Sequence, residues 1–246
     1  MENPLKYNIA TRYRTKLIFN LIKPKKEDKL LDVGCGIGYM VSLFSKKCKA
    51  YGIDAEAESI KIAKELNEGN GIFLAGNALK MPFKKNAFDY VIASEIIEHV
   101  PNDNLFMKEI VRVTKKRGTI ILTTPSLEGL FKVSDTCHEY GTEKHFKEGY
   151  KEEEIVKLFK RNGCKVKKVR YSMIFFTQTL INLVKIAYSI KEPEYKKQSD
   201  IIKTQKSAIF KIYKSLFFIQ LLFMYIDCLL SFFMKGSNIL VLAKKK

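Results

Sequence analysis

Short apolar runs alternate with helix-like stretches over the first two thirds of the chain. Lys29–Val33, Ala50–Ile53, Gly71–Ala75, Phe88–Ala93 and Thr119–Thr124 each read as a buried strand. Between them, residues 56–67 carry Ile60, Ala63 and either Leu66 or the stem of Lys64 on one helical face. Asn102 or Asp103 caps a further helix running to about Lys115. A leading helix over residues 5–23, rich in Tyr and Arg, ends before Pro24. Later come a helix over 151–162 closed by Gly163, a strand from Cys164 to Tyr171 and a final strand from Asn238 to Ala243. Near-continuous apolar strands separated by helices predict an α/β fold, with a parallel sheet covered on both faces.

One stretch breaks this alternation. Residues 173–190 and 208–234 are strongly apolar helical segments inside an insertion over 172–236. The second holds about 20 residues between Lys214 and Lys235, interrupted only by Gln220 and Asp227, a length that can span a bilayer. Three arrangements follow. In the first, a pair of spanning helices leaves the lysine-rich link over 191–207 on the outer side, against the positive-inside rule. In the second, the pair dips into a membrane interface, with Lys211, Lys214, Lys235 and Lys244–Lys246 meeting anionic headgroups. In the third, a soluble lid packs on the sheet and shapes an apolar pocket. Gln220, Asp227 and Ser231 share one helical face, which points toward the rest of the domain in either of the last two.

The first strand ends in Asp32-Val33-Gly34-Cys35-Gly36-Ile37-Gly38, and a helical pattern opens near Tyr39. Glycines at such a junction bring backbone close to a nucleotide-type ligand at the positive end of a helix. The third glycine falls one residue earlier than in the dinucleotide fingerprint, and an acidic residue stands two before the first. Ligands of parallel sheets bind at the carboxyl ends of the strands. Gly34–Gly38, Asp54, Asn77 and the pair Ser94 and Glu95 all fall there.

Further segments carry a resemblance: Gly52-Ile53-Asp54, Gly76–Phe83, Phe88–Val100, and Glu109–Val113 ahead of Gly118. With the glycine run they resemble class I S-adenosylmethionine-dependent methyltransferases of the ubiquinone-biosynthesis and small-molecule (type 11-like) group, over about residues 28–171 and the last strand. The resemblance implies a Rossmann-like, mostly parallel seven-stranded sheet, with helices on both faces and the helical insertion before the last strand. It divides the chain into a cap helix (1–24), a cofactor-binding core (25–171), the insertion (172–236) and a final strand with a basic tail (237–246).

The cofactor so implied is S-adenosylmethionine, and the resemblance distributes its contacts. Gly34, Cys35, Gly36 and Gly38 turn beneath its methionine part, and Asp32 receives its ammonium. Asp54, followed by Ala55, suits the two ribose hydroxyls; it is also placed to cap the helix that follows. Asn77 stands where the family carries an acidic residue for the adenine amino group, and Ala78 adds a backbone contact. Ser94 and Glu95 line the cleft. Arg14, with Tyr7, Arg12 and Tyr13 on the leading helix, is placed to meet the cofactor carboxylate or to lie on a solvated face. Lys115–Gly118 replaces the usual proline-glycine-glycine turn and reads as a surface loop. His99, after the fourth strand, is the candidate general base or a helix-start residue; His145 is a candidate on the acceptor side, and His138 a weaker one.

Composition adds limits. The chain has 246 residues, 46% of them hydrophobic, enough for one α/β domain with an insertion. Its formal net charge of +18 points to an anionic surface or to a lysine-rich proteome. Five scattered cysteines with no C-x-x-C pair exclude a zinc or disulfide framework, and the polar, mixed start argues against a cleavable signal. The expectation is a cytoplasmic methyltransferase, peripheral to a membrane, acting on a small-molecule or lipid-linked acceptor: a quinone precursor, a polyprenyl-linked glycan or a lipid headgroup. An RNA methyltransferase and a non-catalytic membrane-associated adaptor are the alternatives. Ser94-Glu95-Ile96-Ile97, in place of an Asn/Asp-Pro-Pro-aromatic run, makes nucleic acid the poorer substrate.

Overall fold

The computed structural model describes residues 3–130, 146–191, 211, 214–231 and 233–246. Seven strands form one sheet: β1 (Lys29–Val33), β2 (Lys49–Asp54), β3 (Ile72–Ala75), β4 (Phe88–Ser94), β5 (Thr114–Pro125), β6 (Cys164–Ser172) and β7 (Asn238–Lys245). Their order is β3-β2-β1-β4-β5-β7-β6. The strands from β3 to β5 run parallel, and β7 lies antiparallel between β5 and β6. The chain leaves β1 toward one edge and returns to β4 on its other side. This reversal is the switch point where a ligand crevice opens at the strands' carboxyl ends.

Alternation along β1 explains how the sheet is covered. Leu31 and Val33 face a core built on α4 (Asp103–Val113) and α5 (Glu152–Arg161), through Phe106, Met107, Ile110, Ile155 and Phe159. Leu30 faces the opposite layer of α1 (Ile9–Leu21), α2 (Tyr39–Phe44) and α3 (Ala57–Asn67), through Ile18, Phe44, Ile60 and Ala63. With a period of two, Asp32 lies on Leu30's side, beneath the layer that contains α1 and α2.

Two boundaries differ from the pattern-based reading. The leading helix is broken: a 3-10 turn over Pro4–Tyr7 stops at Asn8, whose side chain caps α1 by accepting from Thr11 N at 2.9 Å. Lys115–Gly118 is part of β5 rather than a surface loop, and α4 ends at Val113. Phe88 pairs with Thr114 but Tyr90 pairs with Thr119, so these four residues bulge out of the ladder. The Lys115 ammonium binds Asp89 at 2.8 Å, and Arg117 adopts a φ of 60°. A Cβ on Gly118 would stand 2.7 Å from Thr114 Cγ2 and 2.8 Å from the Lys115 carbonyl, so glycine is required for close approach.

The insertion contributes α6 (Phe176–Lys191) and α7 (Phe217–Leu230). Both pack on α1 through a third cluster of Ile9, Ala10, Tyr13, Met173, Ile181 and Met224. Gln220 and Asp227 are buried as their shared face predicts, whereas Ser231 Oγ donates to the Cys228 carbonyl within its own turn. Asp227 accepts from three amides at the start of α6: Phe175 N at 3.2 Å, Phe176 N at 3.1 Å and Thr177 N at 2.8 Å. Among the described residues, no helix is long and apolar enough to cross a membrane, so the spanning arrangement has no support there.

The terminal lysines lie elsewhere than expected. Because β7 runs antiparallel, Lys244 and Lys245 sit at the end of the sheet opposite α6 and α7. Lys245 Nζ donates to Asn86 Oδ1, Val111 O and Thr114 O, and Lys244 Nζ to Thr119 Oγ1. Lys235 is paired with Glu128 at 2.7 Å.

Candidate active site

The glycine run forms a tight loop between β1 and α2, with φ values of 75°, 49° and 79° at Gly34, Gly36 and Gly38. Four of its five amides are bonded within the protein. Gly34 N and Cys35 N both donate to the Ile53 carbonyl, at 2.8 and 3.1 Å. Gly36 N donates to Asp54 Oδ2 at 2.7 Å, and Gly38 N to the Cys35 carbonyl at 2.9 Å. These bonds brace the turn from within, which the expectation of amides aimed at a ligand did not foresee. The Cys35 side chain points inward: Gly52 lacks the Cβ that would meet its sulfur at 2.7 Å, and burial pushes the thiol well above its ordinary value. A Cβ on Gly38 would fall 2.6 Å from the Phe73 ring and 2.9 Å from Asn67 Nδ2. Gly38→Ala is expected to lower stability by about 2–3 kcal/mol, read from urea unfolding. An unchanged midpoint would contradict the packing.

Two carboxylates flank this loop and differ in how they are satisfied. Asp54 also accepts from Glu56 N at 2.9 Å through Oδ1, so it caps the start of α3 while bracing the loop. Each of its oxygens keeps a second lone pair. Burial raises its carboxyl above the ordinary value, against the pull of these amides. Asp32 is only 3% exposed, and no donor among the described residues reaches its carboxylate. Burial, then the charge of Asp54, push its carboxyl up to about 8. A buried acid without a donor is costly, and this one lies at the mouth of the loop. Such an acceptor fits an ammonium-bearing ligand.

Beyond β4 a polar network spans three strands. Glu95 adopts a φ of 54°, a strained value for a non-glycine residue. Asn238 Nδ2 donates to both of its oxygens at 2.8 and 2.9 Å, and Thr123 Oγ1 donates to Oε1 at 2.8 Å. Thr123's proton being committed there, the 2.9 Å contact with Ser94 is donated by Ser94. Arg14, nearly buried on α1, lies 3.6 Å from Glu95. Glu98 is 1% exposed and accepts from Thr124 Oγ1 at 3.1 Å. Burial and the neighbouring Glu95 raise its carboxyl well above the ordinary range.

The remaining candidates divide. Asn77 is exposed and its Oδ1 accepts from Leu79 N at 2.8 Å, an Asx turn that leaves its amide donor outward. Ala55 is exposed beside Asp54, and Ala78 packs partly on the core. His99 closes a 3-10 turn over Ile97–His99, half-buried after β4. His138 and His145 lie outside the described residues. Four participants escaped the motif reading, Thr123 among them. Glu98 and Thr124 carry no spacing signal, and Asn238 joins Glu95 across 143 positions of sequence.

Comparison with known proteins matches this geometry. The family model described as a methyltransferase domain matches residues 24–174. The chain therefore belongs to the methyltransferase-domain family, and its fold and cofactor class are those of class I S-adenosylmethionine-dependent methyltransferases. It is 38% identical over 107 residues to ajmaline N-methyltransferase of Rauvolfia serpentina, covering 40% of this chain and 36% of that one. It is 29% identical over 139 residues to demethylmenaquinone methyltransferase of Geobacillus stearothermophilus, covering 53% and 59%. Both alignments span less than two thirds of the relative. Among solved structures, phosphoethanolamine N-methyltransferase 2 of Haemonchus contortus, in complex with S-adenosyl-L-methionine, superposes with a TM-score of 0.60 at 17% identity, over 94% of this chain and 52% of that one. The cyclase SpnF superposes with a TM-score of 0.64 at 16% identity, over 96% and 81%. At such identities the likeness is one of fold, and a cyclase among the neighbours shows that the fold alone does not define the reaction.

Proposed function

We propose that the chain transfers a methyl group from S-adenosylmethionine to a small or lipid-linked apolar acceptor at a membrane surface. The observation that carries this reading is Asp32: a buried carboxylate without a donor among the described residues, at the mouth of the glycine loop and beside Asp54. When bound, the cofactor supplies an electrophilic sulfonium methyl. Asp32 accepts from its ammonium, Asp54 uses its remaining lone pairs for the ribose hydroxyls, and the Asn77–Ala78 turn borders the adenine. Ser94 and Glu95 line the cleft, with Glu95 held by Asn238, Thr123 and Arg14. The helices α1, α6 and α7 pack together through an apolar cluster, and α1 reaches the cleft through Arg14 and Glu95; in this reading the three roof the site and exclude water from the transfer. Relatives named for tocopherol, demethylmenaquinone and ubiquinone methylation accord with an apolar acceptor.

Calorimetry with S-adenosylmethionine tests the reading first. Micromolar binding is expected, and no measurable heat or competition would end it. Transfer of labelled methyl to quinone or lipid extracts then identifies the acceptor. For a hydroxyl acceptor we assign His99 as the general base. His99→Asn should lower kcat about 100-fold with the cofactor Kd unchanged. An undiminished kcat would return His99 to a structural role.

A further inference from the structure

The polarity of α7 is inverted. Its two polar interior residues, Gln220 and Asp227, are 1% and 0% exposed, while the face turned to solvent is apolar. Phe218 is 80% exposed, Leu222 56%, Tyr225 61%, Leu229 51% and, just past the helix, Phe233 88%. Their spacing of three and four residues makes one continuous row. Phe175 and Leu183, from the start and the second turn of α6, extend the apolar surface. A helix exposed to water is expected to show the reverse arrangement.

What covers this row is indicated by charge and length. Lys211 and Lys214 are exposed just ahead of α7, with Lys214 Nζ over the Tyr7 ring at 4.5 Å. The one acidic residue of α7, Asp227, is spent on the amides of α6. Glu128, near the far end, is neutralised by Lys235. Fourteen residues make a helix about 21 Å long, too short to cross a bilayer and suited to lie in its surface. We infer that the outer face of α7 docks in the plane of an anionic lipid bilayer, apolar row in the acyl boundary and the leading lysines among the headgroups. The inference rests on the proposed function only for its purpose. The helix that embeds in lipid is also part of the roof over the site, so an apolar acceptor reaches the cleft without crossing water.

The chain has no tryptophan, so a single one reports its own surroundings. Phe233→Trp and, as a control on the exposed edge strand, Ile72→Trp are mixed with phosphatidylcholine vesicles, with or without about one third phosphatidylglycerol. The tryptophan of Phe233→Trp should shift to the blue and be quenched by brominated acyl chains on the anionic vesicles; that of Ile72→Trp should do neither. Phe218→Ser combined with Phe233→Ser should weaken vesicle binding roughly tenfold or more with the S-adenosylmethionine Kd unchanged. No shift for Phe233→Trp overturns the inference. So does a dimer in vesicle-free solution that Leu222→Glu splits, which assigns the face to a second copy. Vesicle binding without cofactor binding defeats the proposed function and leaves the docking face standing; cofactor binding without vesicle binding overturns the docking face and the membrane location, and leaves methyl transfer from the cofactor standing.

Discussion

Asp32→Asn should weaken S-adenosylmethionine binding about 100-fold while making the free protein more stable at neutral pH. The loss of affinity follows from the geometry: a 3% exposed carboxylate has no donor among the described residues, so an ammonium placed there makes a desolvated, charge-assisted bond. An amide oxygen accepts without the charge. The gain in stability has a separate origin. In the unfolded chain the Asp32 carboxyl ionises near the ordinary carboxylate value, and in the folded chain it holds its proton up to about pH 8. Between those values the unfolded state binds fewer protons, so this group makes stability fall as pH rises. At pH 7 the cost is at most about 4 kcal/mol, and asparagine removes it. Calorimetric affinities and melting temperatures at several pH values check both halves. Equal cofactor affinity in the variant would sink the assignment.

The same residue gives a second readout on the unmodified protein. A bound ammonium favours the ionised carboxylate, so cofactor binding at neutral pH should expel close to one proton from the Asp32 region. Binding heats in two buffers of different ionisation enthalpy measure it. In Asp32→Asn the release should vanish.

Much of this was visible in the order of residues, and the reasons are specific. The strands from β1 to β4 were legible because a parallel strand covered on both faces is a near-continuous apolar run, broken by Asp32 alone in Leu30–Val33 and unbroken in Val91–Ala93. The first part of β5 was not. Lys115, Lys116 and Arg117 look like a loop, and they form a bulge that the ion pair of Lys115 with Asp89 ties to β4. Asp32 and Asp54 could be found from their spacing to the glycines. The internal use of the loop amides could not, since it depends on the Ile53 carbonyl of the neighbouring strand. Likewise the tie between Arg14 and Glu95 needs α1 folded over β4. For α7 the sequence placed Gln220 and Asp227 on one face, but which face is covered is decided by α1 and α6.

Asp227→Ala should release α6 without unfolding the sheet. A single carboxylate with no exposure accepts from the amides of Phe175, Phe176 and Thr177, where a helix start otherwise leaves its first donors unmet. Alanine removes both acceptor oxygens, and with them all three bonds, and leaves buried N–H groups unpaired, a loss of about 3 kcal/mol. The cluster that joins α1, α6 and α7 is separate from the two cores packed on the sheet, so the loss stays local. Hydrogen exchange of amides 176–181 should accelerate about 100-fold, while amides of β1 and β4 keep their protection. Asp32 and Asp54 lie outside that cluster, so cofactor affinity should change little, whereas transfer to an apolar acceptor should fall with the loosened roof. Asp227→Asn, which keeps one acceptor oxygen, should lie between. Unchanged exchange at 176–181 in the alanine variant would mean that α6 is held by its apolar contacts alone.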